Sequence, residues 1–374
     1  MSSDNSWNPR NIMKLVSDET RGHKRIPTAD YQLQGRTPVV DQSQILVAGY
    51  TEEPSTLTDP PYIVFGDHTR EIKYLEQPFL PGAQGVRILK ATQEADSKFL
   101  YHYLAFNKVQ NLGYSRHFKL FKQIEIHLPP LAEQQRIAEI LDNAASLIEA
   151  STAKINGLNE LEESSFLFLF GDESVSTTTD EVAAKYKNSI RTGPFGSQLK
   201  HGEFVNEGIS VLGLDNVVSN QFRWASPRFI TPEKYEQLKR YTVHPGDVLI
   251  SIMGTTGRCA IVPDNLPTTI NTKHICAITT DRARMLPEFL RAAFLWHPEV
   301  RQSLRQQTKG AIMAGLNMGI IRNLPLPAPE MSQQRAWSEF TSEINKLREK
   351  LLEQELLSRE LHQTLATRAF AGDL

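Results

Sequence analysis

The chain contains one long segment twice, and this repeat limits what it can fold into. "HLPPLAEQQRIAEILDNAASLIEA" (127–150) is echoed by "PLPAPEMSQQRAWSEFTSEINKLREK" (325–350). Each copy leads to a similar ending, "LFLFGD" (167–172) or "ATRAFAGDL" (366–374), with Gly-Asp just beyond a phenylalanine. Two copies of one structural unit in tandem are therefore expected.

Weaker matches lie between these segments, in the same order along the chain. "YQLQGRTPVV" (31–40) aligns with "FVNEGISVLG" (204–213), and "FLYHYLAFN" (99–107) aligns with "FLRAAFLWH" (289–297). In the strongest match, Gln134-Gln135-Arg136 aligns with Gln333-Gln334-Arg335 after a one-residue insertion. Several matches in one order indicate duplicated domains with loop insertions.

Both echoed segments have the spacing of long helices with a narrow apolar stripe. Each begins after a proline cluster and stops at a glycine, which are helix start and stop signals. Apolar side chains at steps of three and four indicate that the two helices pair, antiparallel, as a coiled coil. The residues of this helix seam are Ile137, Leu141, Ala144, Ile148, Ile155 and Leu158 in the first helix and Phe340, Ile344, Leu347 and Leu351 in the second.

The two remaining segments are rich in short β-type runs, broken by Gly and Pro, with one helical stretch each. We therefore expect an α+β fold with two globular α/β domains in tandem, each followed by a long helix. The expected division is 1–128 and 173–326 for the domains, with 129–172 and 327–374 for the helices. Exposed loops of such domains are where recognition residues usually lie.

The tetrapeptide Asp59-Pro60-Pro61-Tyr62 is the catalytic motif of DNA amino-methyltransferases, which hold a flipped base between such groups. The repeat provides a test, because the second copy has Asp247-Val248-Leu249-Ile250 at this place. The glycine-rich turn needed for S-adenosylmethionine is missing too: Gly193-Pro194-Phe195-Gly196-Ser197 lacks its second glycine. We interpret the motif as a proline-rich bend before a strand.

Other catalytic classes have equally weak support. Asp59 with Glu71 and Lys73 has the loose spacing of a magnesium nuclease, but the second copy lacks the Glu-x-Lys part. The histidines and the two cysteines show no zinc-ligand spacing, and no phosphate-binding Gly-x₄-Gly-Lys motif is present. No catalytic or metal site is expected, and no cofactor is expected in this chain.

Charge is distributed unevenly along the chain, although the formal net charge is only −2. Residues 1–128 carry +1, residues 129–180 carry −8, residues 181–328 carry +7 and residues 329–374 carry −2. A basic domain within a near-neutral chain is compatible with binding nucleic-acid phosphates. The lack of a membrane span or signal segment and the two cysteines lead us to expect a cytoplasmic protein.

The repeated "LPPLAEQQRIAEILD" segment and "GPFGSQLKHGEFVNEGISVLGLDNV" (193–217) resemble the specificity subunit of type I restriction–modification systems. This resemblance covers the whole chain. It implies a subunit without catalysis, whose two target-recognition domains each bind one half of a bipartite, asymmetric double-stranded DNA sequence. It also implies helices that set the gap and dock two methyltransferase subunits, which carry S-adenosylmethionine and methylate adenine. Two restriction subunits using ATP and Mg²⁺ are optional further partners.

Candidate DNA contacts are loop side chains that can donate hydrogen bonds to bases or phosphates. In the first domain they are Arg21, His23, Lys24, Arg25, Gln34, Arg36, His68, Arg70, Gln84, Arg116 and His117. In the second they are Ser197, Gln198, Lys200, Thr255, Thr256, Arg258, Thr272, Lys273, His274, Lys309 and Asn317. Each has the alternative of being an ordinary solvated loop residue.

Two alternatives to a specificity subunit are open at this point. An orphan DNA-binding or scaffold protein of the same architecture would lack methyltransferase partners. Co-purification with neighbouring gene products distinguishes it from a specificity subunit. A stand-alone methyltransferase would bind S-adenosylmethionine as an isolated chain, and we expect no such binding.

Overall fold

The computed structural model describes residues 7–82, 84–308 and 315–374. The helices are α1 (Ile12–Leu15), α2 (Ser97–Phe106), α3 (Phe118–Phe121), α4 (Leu131–Phe170), α5 (Thr179–Val182), α6 (Pro232–Leu238), α7 (Pro287–Trp296), α8 (Pro298–Thr308), α9 (Met318–Arg322) and α10 (Met331–Ala371). Strands of the first repeat are β1 (Asn8–Asn11), β2 (Val16–Asp18), β3 (Thr37–Val40), β4 (Gly49–Thr51), β5 (Tyr62–Gly66), β6 (Ile72–Leu75), β7 (Leu80–Pro81), β8 (Val86–Ala91) and β9 (Glu125–Leu128). Strands of the second are β10 (Val175–Thr178), β11 (Ile190–Thr192), β12 (Ile209–Leu212), β13 (Phe229–Ile230), β14 (Thr242–Val243), β15 (Val248–Ser251), β16 (Cys259–Ile261), β17 (Thr269–Asn271), β18 (Ile275–Ile278) and β19 (Pro325–Pro327).

The larger sheets of the two repeats have the same topology, and the smaller sheet of the second repeat has one additional strand, β14. An antiparallel sheet of order β2-β8-β5-β6 in the first repeat corresponds to β11-β18-β15-β16 in the second. A smaller sheet contains one parallel pair in each, β3 with β7 and β12 with β17. The two-stranded ladders β1–β9 and β10–β19 lead into the long helices. The predicted α+β fold with an internal repeat is therefore confirmed.

Strand β5 explains the motif that resembles a methyltransferase. Its five residues are all buried, as expected for a short apolar run in the middle of a sheet. Tyr62 begins the strand, and its ring packs edge-on against Phe79 with centroids 5.9 Å apart. Asp59 is exposed and pairs with Lys90. Because Tyr62 is buried, it cannot stack on a flipped base, and the interpretation as a bend before a strand is confirmed.

The chain forms two compact units, and each contains parts of both long helices. The first unit comprises 1–153 and 352–374, and the second comprises 154–351. In the first unit, Ile137 near the start of α4 and Ala369 near the end of α10 share one hydrophobic core. Within the described residues, no helix is long and apolar enough to cross a membrane.

In the second unit, the end of α4 packs on the start of α10. Phe166 and Phe170 lie against Trp337, with ring centroids 5.3 and 6.1 Å apart. Further along, Glu162 of α4 pairs with Arg348 of α10 at 2.7 Å. The residue numbers fall on one helix as they rise on the other, so the two helices run antiparallel in this unit.

A buried glutamine fixes the start of each long helix to its domain. Gln134 accepts a hydrogen bond from the Asp96 amide and donates to the carbonyl oxygens of Glu94 and Pro129, at 2.8, 3.2 and 2.9 Å. We call these three bonds the helix-start clamp. They satisfy loop groups that would otherwise be buried without partners.

The second repeat contains the same clamp. Gln334 accepts from the Leu286 amide and donates to the carbonyl oxygens of Arg284 and Pro329, at 2.9, 3.2 and 3.0 Å. Gln134 therefore corresponds to Gln334 and not to Gln333. The sequence alignment of the two Gln-Gln-Arg triplets is wrong by one residue, because letter identity outweighed the position of the side chain.

The residues predicted for the helix seam differ in their burial. Ile137, Leu141, Ala144, Ile155 and Ile344 are buried, and Ile148, Leu158, Phe340 and Leu351 are half-buried. Leu347, in contrast, is 50% exposed, and its prediction as a seam residue is wrong. The neighbouring Arg348 is 3% exposed and takes the buried position, where Glu162 compensates its charge.

Candidate nucleic-acid interface

In the second domain, the turn between β15 and β16 presents three of the predicted DNA contacts. Ser251 holds this turn, since its Oγ accepts from the Arg258 amide at 2.9 Å and its carbonyl oxygen accepts from Gly257 at 2.9 Å. Gly257 has φ +81°, a conformation that favours glycine. Thr255 and Arg258 are exposed beside it, and Thr256 is half-buried.

Two further predicted segments lie next to this turn. The carbonyl oxygen of His274 accepts from the Ile252 amide at 2.9 Å, and the carbonyl oxygen of Ile252 accepts from Leu316 at 2.8 Å. Thr272, Lys273 and Asn317 are thereby brought beside the turn. Asn317 is exposed, but its side chain caps α9 by accepting from the Ile320 amide at 2.9 Å.

A third segment, which begins at Gly193, approaches Thr272. A Cβ at Gly193 would overlap the carbonyl oxygen of Asn271, so only glycine permits this approach. Beyond it, Ser197 and Lys200 are exposed, whereas Gln198 is half-buried and accepts from the Tyr241 hydroxyl at 2.8 Å. The predicted contact Lys309 lies outside the described residues.

One of these side chains has a shifted ionisation. Burial lowers the pKa of His274, and the positive charge of the adjacent Lys273 lowers it further. The imidazole is therefore biased toward its neutral form, which donates from one ring nitrogen and accepts at the other. Such a group can bond to a base edge without contributing charge.

In the first domain, predicted residues line a cleft of about 310 Å³. Arg25, Gln84 and Arg116 are exposed at this cleft. Arg87 lies there as well, with its guanidinium 4.5 Å from the ring centre of Phe118 and 3.7 Å from a carboxylate oxygen of Asp67. Sequence reasoning missed Arg87 because it considered loops, and this residue belongs to β8.

In the loop that contains His68 and Arg70, both predicted residues already make contacts within the domain. His68 is half-buried and stacks on Tyr114 with ring centroids 5.4 Å apart, while Tyr114 itself is 98% exposed. Arg70 donates to the carbonyl oxygen of Val109 at 3.1 Å. Arg70 therefore has a structural contact already, and Tyr114 is the most exposed aromatic surface of this loop.

His117 requires a correction. It is fully buried, its Nε2 accepts from the Leu112 amide at 3.0 Å, and its Nδ1 lies 3.0 Å from the carbonyl oxygen of Asp67. These two bonds require the neutral ring with its proton on Nδ1. The prediction that His117 contacts DNA is wrong, because the ring is occupied in holding the 107–117 loop.

The remaining predicted residues of the first domain lie on its surface. Lys24 pairs with Glu53 at 2.7 Å, and His23 is 2.7 Å from the Thr56 hydroxyl. Arg21, Gln34 and Arg36 are exposed. DNA contact by these residues stays a prediction.

Comparison with known proteins connects these surfaces to a family. A model of the type I restriction modification DNA specificity domain matches residues 18–160. The chain is 23% identical over 358 residues to the type I restriction enzyme MjaVIII specificity subunit of Methanocaldococcus jannaschii, covering 87% of this chain and 83% of that protein. It is 21% identical over 344 residues to the EcoBI specificity subunit of Escherichia coli, covering 83% and 72%.

The fold has a solved counterpart. The crystal structure of a type I restriction–modification S subunit from M. genitalium matches with a TM-score of 0.56 and 16% identity, covering 99% of this chain and 98% of that one. The likeness extends over both repeats and both long helices. Together, these matches confirm the resemblance predicted from the repeated helix start: over most of its length the chain is similar to specificity subunits of type I restriction–modification systems.

Proposed function

We propose that this protein is the non-catalytic subunit that selects the DNA target of a type I restriction–modification complex. Each of its two domains binds one half of a bipartite target. The observation that carries the proposal is the pair of equivalent domains, each with its own helix-start clamp, at Gln134 and Gln334. Two similar domains on one chain are suited to two separate half-sites.

The two half-sites differ in sequence, because the candidate surfaces differ in chemistry. The first domain offers the cleft of Arg25, Arg87 and Arg116. The second offers hydroxyls and one guanidinium on the turn that contains Thr255 and Arg258. A two-fold symmetric site requires identical binding surfaces, so the target is asymmetric.

The long helices set the gap between the half-sites and dock two methyltransferase subunits. Clustered exposed apolar side chains on these helices support docking, since contiguous apolar patches on a protein surface mark interaction sites. They are Leu161, Leu167, Phe168 and Leu169 on α4 and Leu356, Leu357 and Leu361 on α10. The methyltransferases supply S-adenosylmethionine and methylate adenine, and two restriction subunits, as optional further partners, supply ATP- and Mg²⁺-dependent cleavage.

A selection from random duplexes tests this proposal. The full chain, purified with its co-expressed neighbouring subunits, is incubated with a pool of random duplex DNA, and the retained molecules are sequenced. We expect two short conserved blocks of different sequence, separated by a spacer of fixed length. A single continuous block, or two identical inverted blocks, would contradict the proposal.

Alanine at Arg258 or Lys273 is expected to weaken binding to the selected duplex by about tenfold. The reason is the loss of one charge-assisted hydrogen bond, worth about 1.5–3 kcal/mol. Fluorescence anisotropy at moderate salt measures the change. Lys239→Ala is the control, since this exposed lysine already pairs with Glu236 at 2.5 Å. Unchanged affinity of both variants would remove this turn from the interface.

A further inference from the structure

Three arginines meet where α8 packs on the β15–β16 turn. Arg301 and Arg305 lie one turn apart on α8, and Arg258 lies in the turn. The Nη1 atom of Arg301 is 3.1 Å from the position that a Cβ of residue 257 would occupy. The guanidinium of Arg301 therefore rests against the backbone of the turn, beside the predicted DNA contacts.

Among the residues that the structure describes, Arg301 forms no ion pair. Within the part of the chain that the structure describes, neither Arg258 nor Arg301 has a carboxylate oxygen within 4 Å. Burial lowers the pKa of Arg301, the charges of Arg305 and Arg258 lower it further, and Glu163 raises it. Crowded like charges cost free energy unless an anion joins them.

Other arginines of the same unit show how unusual this is. Arg191 pairs with Asp247, Arg228 pairs with Asp215, and Arg348 pairs with Glu162. Each of these side chains is buried or half-buried and has a carboxylate partner. Arg301 is half-buried as well but has no carboxylate partner among the described residues, which is compatible with an anionic ligand from outside the chain.

The shape beside Arg301 suits an extended polar ligand. A groove of about 610 Å³ runs along α8 and is open to solvent. Gln302, Arg305 and Gln306 line it with hydrogen-bond donors, and Trp296 and Glu163 complete its walls. One carboxylate faces two guanidiniums here, so the groove favours an anion.

We propose that Arg301, with Arg258 and Arg305, binds a phosphate of the duplex DNA backbone. The proposal rests on the proposed function and adds a contact on a helix that the loop-based prediction did not include. Phosphate contacts position a protein on DNA without distinguishing bases. Arg301 therefore contributes equally to binding of the target and of unrelated duplexes, and Arg258 acts here through charge.

Salt dependence of binding by the Arg301→Gln variant tests this site. The full chain, with its co-purified subunits, is titrated with a fluorescein-labelled duplex of the selected target and with a scrambled duplex of equal length. We expect about a tenfold loss of affinity for both. The slope of log affinity against log salt should fall by about 0.9, the value for one phosphate contact on duplex DNA. Arg284→Gln is the matched control, since this exposed arginine already has Asp281 at 3.8 Å.

The experiment distinguishes failure of the proposed phosphate site from failure of the proposed function. Unchanged affinity and slope in Arg301→Gln would overturn the site, and so would a loss confined to the target duplex, which indicates base recognition. If Arg301→Gln fails to fold, two other variants test the phosphate site. Arg258→Gln should reduce the slope of log affinity against log salt on both duplexes. Arg301→Lys keeps the positive charge and should leave this slope unchanged. If the parent protein does not prefer the target, the proposed function fails, while the slope on the scrambled duplex still decides the phosphate site.

Discussion

The two repeats agree at their helix starts and differ within the helices. Gln134 and Gln334 are 200 residues apart and make the same three hydrogen bonds. Glu162 and His362 are also 200 residues apart, yet Glu162 binds Arg348, whereas His362 faces the ring of His102 with centroids 6.1 Å apart. The duplication keeps what holds each helix to its domain, while the interior of each helix pair has its own polar contacts.

The largest expected effect is that of Glu162→Ala. It leaves Arg348 and Arg291 buried without the carboxylate that each contacts at 2.7 Å. An uncompensated buried charge costs about 3–5 kcal/mol of the free energy of unfolding. Urea unfolding measures this, with His362→Ala as the equivalent change in the other repeat, expected to cost about 1–2 kcal/mol. Equal losses of stability in Glu162→Ala and His362→Ala would contradict the claim that the two helix pairs depend on different polar contacts.

A pair of seam substitutions tests the corrected helix seam. Ile344 is 4% exposed and Leu347 is 50% exposed. Ile344→Ala should cost about 2–4 kcal/mol through lost burial and a cavity, and Leu347→Ala should cost under about 1 kcal/mol. Chemical denaturation of the two variants side by side gives the difference. A larger loss of stability in Leu347→Ala than in Ile344→Ala would show that Leu347 does belong to the helix seam.

The helix-start clamp gives a prediction in which the two repeats behave alike. Gln134→Ala and Gln334→Ala each leave one amide and two carbonyl groups without their partner, at a cost of about 2 kcal/mol. Gln135→Ala, an exposed neighbour, should change stability by under about 0.5 kcal/mol. Calorimetry of the full chain compares all three. If only one of the two variants lost stability, the two clamps would share their hydrogen-bond geometry but would not contribute equally to the free energy of unfolding.

The smallest expected effect concerns the pH dependence of stability in the first unit. Burial lowers the pKa of His362 below 6.5, and the charge of His102 lowers it further. Burial also lowers the pKa of His102, although its bond to Asp142 opposes this. The unfolded chain therefore binds protons first, so the stability is complete above pH 6.5 and decreases as the pH falls below it. The melting temperature of His362→Gln should fall less steeply between pH 7 and 5 than that of the parent; parallel curves would exclude this role.

Sequence reasoning predicted the repeat and the two long helices, because these depend on periodicity and on start and stop signals. It chose Leu347 over Arg348 because an apolar pattern contains no information about Glu162, which approaches from 186 positions away. It also misaligned the glutamines by one residue. The partners of Gln134 and Gln334 are loop backbone groups, and their positions are set only by the folded domain.

The candidate interface was predicted less completely. Donor side chains in loops led to the prediction of DNA contacts in the 255–258 turn and in the segment of Lys273, and the fold brings these two segments together. His117 was included because its ring is polar, although backbone bonds hold it in the core. Arg87 and Arg301 were missed since they belong to a strand and a helix, and only the fold places them beside the loops.

The central claim is that one chain holds two unlike DNA-binding domains that direct a single methylation pattern. Methylome sequencing of the source organism with and without this gene tests it most directly. The account predicts loss of adenine methylation at one split, asymmetric motif and no change elsewhere. An unchanged methylome under conditions where the protein is expressed would contradict the account and favour an orphan DNA-binding protein of the same architecture.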